Sequence, residues 1–124
     1  MSSASAAGAA TGGMFAAIDA KDGAGFVSYL TEDAVFRFGS APPVQGRDAI
    51  QAAVDGFFST IAGCSHAICN SLLQDGTLVC EGEVTYERHD GTSITLPFTN
   101  IFEYDGELIS HYKIYIDIAP LYAE

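Results

Sequence analysis

The spacing of apolar residues changes once along this chain, near residue 65, and the change separates helices from strands. Before it, apolar positions recur every three or four residues. Phe15 and Ile18 share one side of a short helix over residues 14–21, and Phe26, Val27 and Leu30 line a second helix that Asp22 can cap. Ile50, Val54, Phe57, Phe58 and Ile61 form the longest stripe, in a helix that Asp48 can cap. Between these helices residues 34–38 alternate as a short strand, and residues 39–46, with Pro42 and Pro43 inside, form a loop. From Ser65 onward the period is two. Asp75-Gly76, Asp90-Gly91 and Asp105-Gly106 punctuate it as hairpin turns, because a tight turn favours residues that accept positive φ. The pattern predicts four antiparallel strands over about 66–73, 78–88, 93–104 and 108–118. Helices first and a meander afterwards make an α+β domain, with helices laid over one face of a curved sheet.

The final strand carries the most chemistry. Tyr112, Ile114, Ile116 and Ile118 fall on one face, and His111, Lys113, Tyr115 and Asp117 fall on the other. Asp117 sits at the strand's end between two isoleucines. If its row faces a cavity, desolvation raises its pKa from about 4 into the range of a useful general base. The competing expectation is a carboxylate that caps a loop or faces water. Tyr115, about 7 Å away along the strand, can donate to a ligand carbonyl or to Asp117, or can be an aromatic at the rim. Lys113, about 13 Å from Asp117, is a solvated or interface charge. With the polar row inside, Tyr112, Ile114 and Ile116 lie on the outer face, where they predict a homodimer. Phe36 and Phe38 either line the cavity mouth or complete the core, and His66 either reaches the cavity or is structural. Strand 78–88 leaves its inward face open: Cys80, Val84 and Tyr86, or their neighbours.

Composition narrows the setting. With 124 residues the chain suits one domain and one core, and 48% apolar against 17% charged residues fits a compact fold. Sixteen acids against five bases give a net charge of −11, which repels phosphate backbones and anionic lipid, so neither nucleic acid nor a membrane surface is an expected partner. No apolar run approaches the roughly 20 residues of a spanning helix. Residues 1–13 are Ser, Ala and Gly almost throughout and lack the basic start and leucine-like stretch of a secretory signal. They read as a disordered lead to a domain over residues 14–124 in a cytoplasmic protein. Three cysteines cannot all pair with one another, and reduced thiols are expected. Cys64, His66 and Cys69 are close enough in sequence to suggest a metal. On a strand, however, Cys69 points away from the other two, so no tetrahedral ion is expected to use all three.

The succession of two short helices, a short strand, a loop ending Gly46-Arg47-Asp48-Ala49-Ile50, a long helix and four meandering strands resembles the nuclear-transport-factor-2-like superfamily. That conical fold also serves ketosteroid isomerases, limonene epoxide hydrolase and SnoaL-type polyketide cyclases. The most specific pieces are Ala41-Pro42-Pro43-Val44-Gln45-Gly46-Arg47-Asp48 and Tyr115-Ile116-Asp117. Ketosteroid isomerases carry a tyrosine, a base aspartate and a second aspartic acid where this chain has Met14, Phe38 and Asn100. The hydrolase holds water from the positions of Phe36 and Phe38, and its arginine and first aspartate correspond to Glu81 and Glu83. SnoaL-type cyclases use one aspartate on the last strand, without metal or cofactor, and Asp117 occupies that position. The resemblance therefore implies a cofactor-independent acid–base enzyme, isomerase- or cyclase-like, acting on a small apolar carbonyl compound. Asp117 and Tyr115 would be catalytic, with Met14, Phe36, Phe38, His66 and Asn100 around the substrate. The alternative is a pocket of the same fold that binds a hydrophobic small molecule without turning it over.

Overall fold

A computed structural model of the chain describes residues 12–123. Helix α1 covers residues 12–19 and α2 Gly23–Val27, followed by β1 (Leu30–Phe38), β2 (Val44–Gln45) and the long α3 (Arg47–Phe58). Strands β3 (Gly63–Gln74), β4 (Thr77–Glu87), β5 (Ser93–Asp105) and β6 (Leu108–Tyr115) then form the expected antiparallel meander, and α4 (Ala119–Tyr122) follows. Of the lead expected over residues 1–13, residues 1–11 lie outside the described part, and residues 12 and 13 already belong to α1.

Local chemistry explains most of these boundaries. Asp22 caps α2, its carboxylate accepting the Gly25 N–H at 2.9 Å. Asp48 does not cap α3. The cap is Gly46, whose φ of 92° suits glycine, and Asp48 sits in the first turn, where the positive end of the helix dipole favours it. The Arg47 guanidinium donates to the Leu30 carbonyl and ties the start of α3 to β1. In the first hairpin both Asp75 (φ 51°) and Gly76 (φ 79°) are left-handed, whereas in the other two only Gly91 and Gly106 are.

The sheet order is β2-β1-β6-β5-β4-β3, and the β1–β6 pair is parallel. Registers place Val44, Phe36, Tyr112, Phe102, Leu78 and Leu73 side by side, one apolar residue from each of the six strands. The helices cover one sheet face, so this row has to be the inner one. Tyr112 is 2% exposed and Phe102 fully buried. The expectation that Tyr112, Ile114 and Ile116 form an outer row for a dimer is therefore corrected: Tyr112 packs on Phe102 at 4.4 Å and on Phe36 at 5.4 Å within the core. The outer face of β6 carries His111, Lys113 and Tyr115 instead.

The same register fixes the inner face of β4. Cys80, Val84 and Tyr86 are buried, while Glu81 and Glu83 are exposed, so these two glutamates do not enter the cavity. Strand β6 is also shorter than expected, ending at Tyr115. Past it the chain leaves the sheet and α4 is held by Arg88, which donates to the carbonyls of Leu121 (3.0 Å) and Pro120 (3.1 Å). Because the β5–β6 pairing stops at Thr99–Tyr115, Pro97 lies beyond it, where a missing N–H breaks no ladder to β6.

Candidate functional site

Between the inner sheet face and α2 and α3 lies a cavity of about 250 Å³. Its walls are mainly aromatic and aliphatic, with Phe36, Phe38, Phe57, Tyr112 and Ile114 prominent, and it reaches the surface beside Ala41, Pro42 and Ala53. Phe38 and Phe57 meet at 5.1 Å, which joins β1 to α3. Two polar side chains, His66 and Tyr112, are among those lining it.

His66 stands on β3 with its ring between Phe15 (4.9 Å) and Phe98 (5.4 Å). Its Nδ1 lies 2.6 Å from Asp19 Oδ1, and its backbone N–H donates to Asp19 Oδ2 at 3.1 Å. A carboxylate at the C-terminal end of α1 opposes the helix dipole, and these two donors offset that cost. A carboxylate can only accept, so the shared proton is on Nδ1 and the Nε2 lone pair is free. Nε2 makes no hydrogen bond to protein among the described residues. Burial pushes the His66 pKa below its ordinary value, while the hydrogen bond and charge of Asp19 act in the opposite direction. The ring is thus neutral at pH 7 and is an acceptor.

A second polar pair lies deeper. Asn100 is 1% exposed and its Nδ2 donates to the Tyr112 hydroxyl at 3.3 Å, while its Oδ1 has no partner among the described residues. Burial, foremost, and then the neighbouring Cys80, Tyr86, Asp19 and Cys64 push the Tyr112 phenol well above its ordinary value, so it stays a donor. Cys64, two residues before His66 on the same face, donates its thiol to the Ile18 carbonyl at 3.4 Å. Burial and then Asp19 raise its pKa to about 12.

The residues expected at a site divide into three groups. Phe36, Phe38 and His66 line the cavity. Met14 is fully buried in α1 as part of the core, and Asn100 reaches the cavity through Tyr112. Asp117 and Tyr115 lie outside: both border a shallow groove on the opposite sheet face with Cys69, Glu81 and Thr99. Asp117 is exposed and its Oδ1 accepts the Ala119 N–H at 3.1 Å, so it caps a loop, the competing expectation. Tyr115 is 56% exposed. The reason is the six-residue inner row: with Tyr112 inside, residues 111, 113 and 115 face outward.

Sequence reasoning missed Asp19, Tyr112 as a site residue, and Phe57 as cavity wall. Asp19 sits 47 residues from His66 on a different element and gave no local signal. Tyr112 was hidden because its row read as purely apolar.

The model of the SnoaL-like domain family matches residues 12–112. No curated protein sequence matches the chain. Among solved structures, an NTF2-like protein of unknown function from Burkholderia pseudomallei K96243 is similar at 17% identity and a TM-score of 0.85, over 98% of this chain and 95% of that one. TerC, co-crystallized with polyporic acid, is similar at 16% identity and a TM-score of 0.82, over 94% and 95% of the two chains. A protein of ketosteroid isomerase-like fold from Catenulispora acidiphila DSM 44928, in complex with trimethylamine, is similar at 14% identity and a TM-score of 0.79, over 86% and 83%. At these identities the likeness establishes the fold. None of the described helices is long and apolar enough to cross a membrane.

Proposed function

The chain belongs to the SnoaL-like domain family, and from that membership we propose that it binds a small, largely apolar carbonyl compound in the inner cavity and moves a proton on it, with His66 as the acid–base group. The observation that carries this reading is the 2.6 Å pair between His66 Nδ1 and Asp19 Oδ1, on a ring that lines the cavity. Asp19 fixes the tautomer and orients the ring, and Nε2 takes a proton from the carbon beside the ligand carbonyl. The imidazolium so formed is stabilised by the Asp19 carboxylate, and the proton is returned to the ligand at a second position. As negative charge grows on the ligand oxygen, the Tyr112 hydroxyl donates to it, since the bond from Asn100 leaves that hydroxyl's own proton free. No step of this reading draws on a cofactor. Asp117 and Tyr115 have no part in it.

Two relatives of the fold bind small molecules, polyporic acid in one and trimethylamine in the other, which supports an occupied cavity. The alternative is binding without turnover, favoured by a lining in which, among the described residues, His66 and Tyr112 are the only polar side chains. Proton-to-deuterium exchange at the α-carbon of aryl and cyclic ketones, followed by NMR, separates the two. Exchange that disappears in His66→Gln and falls at least about tenfold in Asp19→Asn, with binding retained, supports the enzyme. Binding without exchange supports the pocket alone, and a panel with neither overturns both readings.

A cytoplasmic location and a homodimer belong to this proposal too. The outer-face row Leu72, Val79 and Ile101, with Leu72 67% exposed, supports the dimer. Sedimentation equilibrium at micromolar concentration tests it, and a monomer there rules it out.

A further inference from the structure

We propose that Asp19, Cys64 and His66 together form a binding site for a divalent transition-metal cation of the zinc class. One donor atom from each of Asp19, Cys64 and His66 lies within 4.8 Å of the other two, with Asp19 45 residues from Cys64 in the chain. Strand alternation puts Cys64 and His66 on one face, and α1 brings Asp19 to that face in the place Cys69 could not take. The His66 N–H holds Asp19 Oδ2 at 3.1 Å, which turns Oδ1 toward both the imidazole and the thiol.

The donor set has the chemistry of that ion. Sulfur, imidazole nitrogen and carboxylate oxygen are the three ligand types zinc uses, at about 2.3, 2.0 and 2.0 Å. Tetrahedral angles at those lengths separate S and O by about 3.5 Å and N and O by about 3.3 Å. Here Sγ and Oδ1 are 3.8 Å apart and Nδ1 and Oδ1 2.6 Å, so the carboxylate has to withdraw from the ring by well under an ångström. The Ile18 carbonyl oxygen, 3.4 Å from Sγ, or a water supplies the fourth position. A divalent ion with one thiolate and one carboxylate is electrically neutral, which suits a half-buried cluster. The Asp19 side chain, 30% exposed, gives an entry path, and a net charge of −11 draws cations to the surface.

Binding has a balanced proton account. The thiol loses its proton to solvent, and the Nδ1 proton moves to Nε2, so each ion releases one proton. The ring then presents an N–H to the cavity where the free protein presents a lone pair. This consequence rests on the proton-transfer reading above, in which the metal would silence the base.

The test uses the full chain, stripped with chelator and titrated with Co²⁺. One equivalent is expected to produce a thiolate-to-cobalt charge-transfer band and the intense visible bands of four-coordinate cobalt, which one equivalent of Zn²⁺ then removes. Cys64→Ala and Asp19→Asn each weaken binding at least about 100-fold, while Cys69→Ser leaves the spectrum unchanged. A wild-type spectrum without the thiolate band, a weak six-coordinate spectrum, or a band that survives in Cys64→Ala overturns the site. The wild-type spectrum decides even where a variant fails to fold. Ketone exchange in the metal-free protein reports on the base independently of these spectra. Exchange that continues unchanged with zinc bound overturns the coupling between ion and base, whereas exchange stopped by one equivalent supports it.

Discussion

Asn100 is a polar residue in the wrong place for stability, and replacing it with leucine should strengthen the fold. Its side chain is 1% exposed, makes one bond at 3.3 Å to Tyr112, and leaves Oδ1 without a partner among the described residues. Turning the amide over does not help. Oδ1 would then accept from the phenol and the NH₂ group would be orphaned, so one end of the amide is unmatched either way. Leaving such a group buried costs about 1–3 kcal/mol, and the bond it does make returns about 1 kcal/mol. The Tyr112 hydroxyl that loses this partner lines the cavity, where water can replace it. Leucine has the same branched heavy-atom shape and gains from burial, but its methyls are bulkier, and strain of about 1 kcal/mol is to be set against that gain. The net expectation for Asn100→Leu is stabilisation by about 1 kcal/mol, which raises Tm by about 3–5 °C for a chain of this length. The assay is urea unfolding by circular dichroism, with thermal melts alongside. In parallel, ketone exchange should slow, because the Tyr112 hydroxyl loses the partner that orients it. Loss of more than about 1 kcal/mol in Asn100→Leu would refute the reasoning, since it would mean that both ends of the amide are satisfied, as by a buried water.

Gly82→Ala should cost at least about 3 kcal/mol in urea unfolding, because a Cβ there overlaps the Ala67 carbonyl oxygen and lies 3.0 Å from Ile68 Cα, at the β3 bulge. A cost under about 1 kcal/mol would mean that the bulge yields freely. Asp117→Asn should change stability by no more than about 0.5 kcal/mol, since asparagine can also accept the Ala119 N–H, and should leave ketone exchange intact. A tenfold fall in exchange would return Asp117 to the reacting centre. At alkaline pH the buried Cys80 thiol, raised from 9.0 to about 11 by burial, stays protonated in the folded chain while the unfolded chain ionises. Its contribution is therefore complete below pH 9 and is lost as pH rises toward about 11, on the order of 2 kcal/mol. Melts in reductant at pH 8 and pH 11 should accordingly fall less for Cys80→Val than for the natural chain, and equal falls would contradict the burial argument.

The strands were legible where local chemistry dictates them. Asp-Gly pairs need left-handed backbone whatever the rest of the fold does, so residues 76, 91 and 106 marked the hairpins without tertiary information. The helix stripe from Ile50 to Phe58 was legible for a similar reason, since three of its residues are buried at helical spacing. The end of β6 was not, because nothing in Ile116-Asp117-Ile118 breaks the alternation. The pairing to β5 stops at Thr99–Tyr115 although β5 itself runs on, and past that point Arg88 holds α4. Nor could periodicity reveal the β1–β6 parallel pair, which joins residues about 76 apart in the chain.

Inward parity decided the site, and it is a property of the whole sheet. Within β6 alone, a polar row ending in a carboxylate looks like catalytic equipment and an apolar row looks like an interface. Across six strands the choice disappears. Phe36, Phe102 and Leu78 have to share a face with Tyr112; turning β6 over would bury Lys113, and turning β5 over would expose Phe102. The acid–base pair of the proposed reading comes instead from elements that alternation does not connect. Its members are Asp19, at the end of a helix whose own apolar side gave no reason to look at its last residue, and His66, a lone histidine that its own strand left open between a cavity and a structural role. The rings of Phe15 and Phe98 flank the imidazole, burial lowers its pKa, and Asp19 fixes its proton on Nδ1, which leaves Nε2 a free acceptor at neutral pH.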